Sequence, residues 1–193
     1  MMVDFRALPN HPAPRAGLAL HDLASPGRYL RLTHVFDDGV YAMWVGEPDQ
    51  ARYAKRPIFY SWEKINSHTS SASAKWGRIL LPSEFSPPAA GDSVHTEKLH
   101  SAWTLIAPLI DSFEERTNLS RHHFSALVRE RALITGVAQK TLYRLVLRYY
   151  YFGSTKLALI ALPSGPKRSV KGKELQPNRL LKYSPASEPV QRL

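Results

Sequence analysis

Between Ser120 and Gly153 the chain reads SRHHFSALVRERALITGVAQKTLYRLVLRYYYFG, and no other stretch limits its fold as tightly. Ser120 is an N-cap residue type ahead of a helix expected from Arg121 to Ile134. Phe124, Leu127, Val128 and Ala132 recur at helical spacing on one face. Thr135-Gly136-Val137 breaks the pattern, and Gly136 accepts a positive φ. A second helix is expected from Ala138 to Phe152, with Leu142, Leu145, Val146, Tyr149 and Phe152 as its apolar stripe. Two helices joined by so short a turn make a helix-turn-helix pattern.

The polar side of the second helix carries Lys140, Arg144 and Arg148 four residues apart. Like charges at this spacing cost an isolated helix about 0.2–0.5 kcal/mol per pair. A polyanion along that side would reverse the sign. Gln139 and Thr141, near the helix N-terminus, are residue types that reach base edges. The competing reading is a helical hairpin whose basic column is a solvated face.

Charge is unevenly placed. Residues 1–115 hold 11 Lys/Arg and 13 Asp/Glu, a net of −2, and residues 116–193 hold 15 and 3, a net of +12. The positive excess of the 193-residue chain therefore lies in the helix pair and the tail, which favours a nucleic-acid partner. Zero cysteines exclude disulfides, thiolate zinc sites and cysteine nucleophiles. No run of about 20 apolar residues offers a membrane span. No basic segment followed by an apolar run suggests a secretory signal. A cytoplasmic, nucleoid-associated protein of bacterial type is the expectation.

Residues 1–27, with Pro9, Pro12, Pro14, Pro26, Gly17 and Gly27, predict a flexible arm with little regular structure. Residues 28–92 predict a small β-rich domain. Arg28 to Phe36 alternates polar and apolar residues, Asp37-Asp38-Gly39 is a hairpin turn, and Val40 to Val45 is the return strand. Tyr53 to Trp62 supplies a third strand, with Pro57 placing it at an edge. Ser67 to Ser73 reads as a loop, and Trp76 to Leu81 as a strand or short helix. Residues 93–162 predict the helix-turn-helix domain. Its third helix, over residues 96–116, carries Leu99, Trp103, Ile106, Ile110 and Phe113 on one face. Pro108 should kink that helix or start a new one. Thr155 to Leu162 extends a helix or covers the domain. Residues 163–193, with Lys167, Arg168, Lys171 and Lys173, have the composition of a basic extended tail. The fold class is α+β: a small N-terminal β-rich domain, then a three-helix helix-turn-helix domain, then the tail.

The segment GVAQKTLYRLVLRYYYFGSTKLAL, Gly136 to Leu159, resembles the region ahead of the catalytic core in the TnsB and Mu transposase family. There a Thr-x-Tyr-Arg helix is followed by an aromatic-rich Arg-Tyr segment, a Gly and an Ala-Leu. The matching positions are Thr141, Tyr143, Arg144, Arg148, Tyr149, Gly153 and Ala158-Leu159. Pro163 to Lys173 is similar to the basic linker behind that region, and Arg56-Pro57-Ile58 is a looser match to the family's N-terminal β-domain. The resemblance implies sequence-specific binding to the double-stranded DNA of transposon ends, with other transposition proteins as further partners and oligomerisation on DNA. It points to Gln139, Lys140, Thr141 and Arg144 at or near base edges, with Tyr143 on the same helix. Arg148, Arg121 and Arg129 would meet phosphates, and Lys167, Arg168, Lys171 and Lys173 would follow the backbone.

The family's strand transfer uses an RNase-H-like core whose three carboxylates hold two divalent metals. After Glu130 the chain has Glu174 and Glu188 as its acids. Asp111, Glu114 and Glu115 share one amphipathic helix and read as a solvated face. The expectation is therefore a non-enzymatic chain without cofactor, with magnesium relevant where a catalytic core lies downstream. His122 and His123 are adjacent and point to different faces, so they do not chelate as residues at i and i+4 do. No nucleophile-elbow or phosphate-loop glycine motif occurs. A stand-alone helix-turn-helix transcriptional regulator is the alternative.

Overall fold

The chain divides into two units, Met1–Leu162 and Pro163–Leu193. A computed structural model describes residues 3–9, 12–23, 27–70, 74–82, 85 and 93–160, all within the first. An antiparallel six-stranded sheet comes first and helices follow, an α+β architecture. The strands are β1 (Phe5–Ala7), β2 (Leu18–Asp22), β3 (Tyr29–Phe36), β4 (Gly39–Val45), β5 (Ile58–Ser61) and β6 (Ala74–Ile79), in spatial order β1-β6-β2-β3-β4-β5.

The β3–β4 hairpin turns at Asp37-Asp38, as the sequence predicts, and pairs Tyr29 with Val45 and Phe36 with Gly39. Its register shifts between Leu32 and His34. Alternation then sorts the side chains. Leu18, Leu20, Leu30, Leu32, Val40, Ala42 and Trp76 form one face, closed by Ile65 of helix α1 (Trp62–Ser70). Ala19, Tyr29, Tyr41, Met43 and Val45 face the later helices and share a core with them. Both faces are thus covered, which explains why most of β3 and β4 is buried.

Three expectations change here. Residues 1–27 contribute β1 and β2, because pairing with β6 gives this Pro-rich segment backbone partners that composition does not reveal. Trp62–Ser70 is a helix where a strand end and a loop were expected. Ile65 is buried under the sheet, and Thr69 and Ser67 hydroxyls donate back to carbonyls within the helix. The third strand is confined to Ile58–Ser61, at the sheet edge, with a 3₁₀ segment at Pro48–Tyr53 before it.

Helix α2 (Ser93–Phe113) buries Ile106, Leu109, Ile110 and Phe113. It runs without a break through Pro108, where the sequence predicts a kink or a new start. Proline removes the N–H that would pair with the carbonyl four residues back, at Thr104. Arg131 takes its place: Nη2 donates to Thr104 O at 2.8 Å and Nε donates to Leu105 O at 3.0 Å. The guanidinium thus satisfies the carbonyls beside the proline while bridging to helix α3 (Arg121–Thr135).

Phe113 stacks on Phe124 of α3, with ring centroids 4.2 Å apart and planes at 5°. Helix α4 (Gln139–Tyr151) buries Leu142, Val146, Tyr150 and Tyr151. Its C-terminal turn is fastened to the sheet. Buried Arg31 of β3 donates Nη1 to Tyr151 O at 2.8 Å. The Tyr151 hydroxyl accepts from Gly46 N at 2.7 Å and donates to Glu47 O at 2.9 Å. Tyr150 meets His34 edge-on. Gly153 follows with φ +91°, a conformation that side chains rarely adopt, and a Cβ there would stand 2.8 Å from Arg31 Nη1. A 3₁₀ turn at Lys156–Leu159 buries Ala158 and Leu159 against the same core.

Candidate nucleic-acid interface

Ser120 caps α3 by accepting from His123 N, and Gly136 ends it in the left-handed conformation at φ 66°, both as the sequence predicts. The first turn of α3 has no acidic residue and carries Arg121, His122 and His123, all exposed. A cation such as Arg121 at the positive end of a helix dipole is unfavourable, and an anion bound there would offset the cost. Arg129 is also exposed on α3.

Helix α4 begins after Ala138, which has no side chain to cap its first N–H groups. Gln139, Lys140 and Thr141 in this first turn are exposed, and so is Arg144 one turn on. The helix divides cleanly, because Leu142, Val146 and Tyr150 take the core side and leave these four to solvent. Free N–H groups and polar or basic side chains at a helix start suit an anionic partner.

The rest of the predicted set is placed differently. Tyr143 packs between α3 and α4: its hydroxyl and Ser125 Oγ are hydrogen-bonded at 2.7 Å, and its ring lies 5.6 Å from that of Phe124. Arg148 turns inward from the column begun by Lys140 and Arg144. It donates Nη2 to Ile160 O, and its guanidinium lies over the Phe85 ring. Burial first, and then the charge of Arg144, lower its pKa. Lys167, Arg168, Lys171 and Lys173 lie outside the described residues. Among the described residues, no group of three or more His, Asp or Glu is placed to hold a metal ion, and no helix is long and apolar enough to cross a membrane.

Sequence reasoning missed Arg52. It stands in the 3₁₀ segment Pro48–Tyr53 and lines a cleft of about 260 Å³ with Thr141, Arg144 and Arg148 of α4. No local pattern could have found it, since its approach to α4 depends on how the sheet meets the helices.

A two-sided antiparallel sheet followed by helices, the last with a cationic solvent-facing start, defines the class of this chain. Residues 100–162 match the family model described as the TnsB second domain, about a third of the chain. The match runs from His100 in α2 through α3, α4 and the Lys156–Leu159 turn, so the resemblance read from Gly136 to Leu159 holds over a longer stretch than the residues that first suggested it. This part of the chain is similar to the N-terminal region of a TnsB-like transposase. No curated protein matches the chain.

Proposed function

We infer that α2, α3 and α4 form a three-helix helix-turn-helix unit that binds double-stranded DNA, and that the chain recognises the terminal repeats of a mobile element in a TnsB-like transposition system. The observation that carries this reading is a coincidence of position. The stretch that matches the TnsB second domain is also the stretch in which α4 leaves Gln139, Lys140, Thr141 and Arg144 uncovered. Helix α4 is the recognition helix. Gln139, Lys140 and Thr141 reach base edges in a major groove, with Arg144 beside them. Arg121 and Arg129 meet phosphates on the flank. The tail lysines and arginine at 167, 168, 171 and 173 follow the backbone.

Strand transfer is not assigned to this chain. The purified chain with magnesium is expected neither to cut nor to join DNA ends, and robust joining would overturn that assignment. The test of binding is selection of bound sites from random duplexes, followed by comparison with the ends of mobile elements. A defined, recurring sequence is expected. Gln139→Ala should then lose about 1–3 kcal/mol on the selected site, relax one base position and leave random DNA unaffected. Recovery of sequences with no preference would sink the reading.

A further inference from the structure

The cleft between Pro48–Tyr53 and α4 is lined by three arginines, Arg52, Arg144 and Arg148, with Asp49 as the acid on its wall. Among the described residues no ion pair neutralises any of the three, although Arg116 and Asp38 pair elsewhere at 2.6 Å. Arg144 and Arg148 stand one turn apart, and like charges so placed repel. Arg148 cannot swing away, because Ile160 O and the Phe85 ring hold its head. Its Nε is buried and has no partner among the described residues. Arg52 is braced over the Tyr53 ring, 4.7 Å from its centroid. Thr141 adds a hydroxyl to the wall. Three arginines against a single acid, around about 260 Å³ of room, describe a seat for a tetrahedral oxyanion.

We propose that this cleft seats one backbone phosphate of the duplex that α4 contacts, and that Arg52 thereby gives the sheet-bearing part of the chain a direct share in DNA binding. The proposal rests on the DNA-binding reading of α4. A duplex phosphate is favoured as the occupant because Thr141 and Arg144 belong both to the cleft and to the uncovered start of α4. An anion there lies at the border of the groove that the helix enters. Arg52 would fix how far the helix sits along the backbone, and would carry no base information of its own.

The test compares full-length wild type with Arg52→Ala and Arg52→Lys on the selected duplex and on a random one, over a range of salt. Arg52→Ala should weaken both duplexes about fivefold and reduce the slope of log affinity against log salt by about one, with the selected sequence unchanged. Arg52→Lys should keep the slope. Single methylphosphonate replacements, which remove one phosphate charge at a time, should show one position that weakens wild type and leaves Arg52→Ala indifferent. Arg52 is exposed, so the variants are expected to fold, and matching circular dichroism and thermal midpoints confirm that binding alone has changed. Unchanged affinity, slope and methylphosphonate pattern in Arg52→Ala would overturn the proposal while leaving the DNA-binding reading standing. Failure of wild type to bind any duplex would overturn both.

Discussion

Arg31 is 2% exposed and has no carboxylate partner among the described residues; its hydrogen bonds go to the backbone carbonyls of Tyr151 and Ile79. Burial lowers its pKa to about 10, still well above neutrality, so it remains a cation. It faces the negative end of the α4 dipole, where a cation is favoured. Arg31→Met should cost about 1–3 kcal/mol in urea denaturation, because the Tyr151 carbonyl is left buried and unpaired. His34, on the same strand, is held neutral by burial, its pKa lowered from 6.5 to about 4. The unfolded chain takes up this proton below pH 6.5 and the folded chain resists until about pH 4. The contribution is therefore complete above pH 6.5 and is lost progressively as pH falls toward 4. At its largest it amounts to about 3 kcal/mol. Urea midpoints of wild type and His34→Phe, followed from pH 7 to pH 4, should show a steeper fall in wild type. Parallel curves would mean that His34 titrates normally.

At the scale of elements, α2 keeps a proline in its second-to-last turn because a side chain from α3 supplies the missing donor. Arg131→Met should destabilise the chain by about 1–3 kcal/mol, since it uncovers the Thr104 and Leu105 carbonyls. With Pro108→Ala the helix regains its own donor, so the same Arg131 change should cost less, and a double-mutant cycle should show coupling of about 1 kcal/mol. Additive effects would show that the two residues act independently. Pro108 was conspicuous in the sequence, but its remedy lay on another helix, and periodicity carries no trace of that. The α3–α4 pair was legible because Ser120, Gly136, Leu142 and Val146 are local signals that need no tertiary context, whereas the stripe expected Leu145 and Tyr149, which are only partly buried, and did not foresee Tyr150 and Tyr151 in the core. The β3–β4 hairpin was legible for the same reason at Asp37-Asp38-Gly39. Strands β1 and β2 were not, because short strands in Pro-rich sequence are made by the partner that pairs with them.

Across the whole molecule the sheet and the helices are finished by each other. Tyr29, Tyr41, Met43 and Val45 complete the core around Ile106, Phe113, Phe124, Val128, Leu142 and Val146. Residues 93–162 produced alone should keep helical circular dichroism while losing near-ultraviolet signal and binding a hydrophobic dye. Residues 1–162 should melt in one cooperative step. A sharp independent transition in the shorter fragment would show that its core is sufficient without the sheet. The same reasoning marks what could be read of the interface. The exposed start of α4 follows from its own sequence, whereas the inward turn of Arg148 and the approach of Arg52 follow from Ile160, Phe85 and the Pro48–Tyr53 segment.

The meeting of Arg31 with Gly153 bears on any attempt to trade parts between such chains. A chimera that joins this sheet to the helix pair of another protein would have to import a glycine at position 153, or the new side chain would collide with the guanidinium. One that joins these helices to another sheet would leave the Tyr151 carbonyl and hydroxyl without Arg31, Gly46 and Glu47. Compatibility would thus be decided at a few positions more than a hundred residues apart in sequence, and a survey of which halves can be exchanged should sort on those residues before it sorts on overall identity.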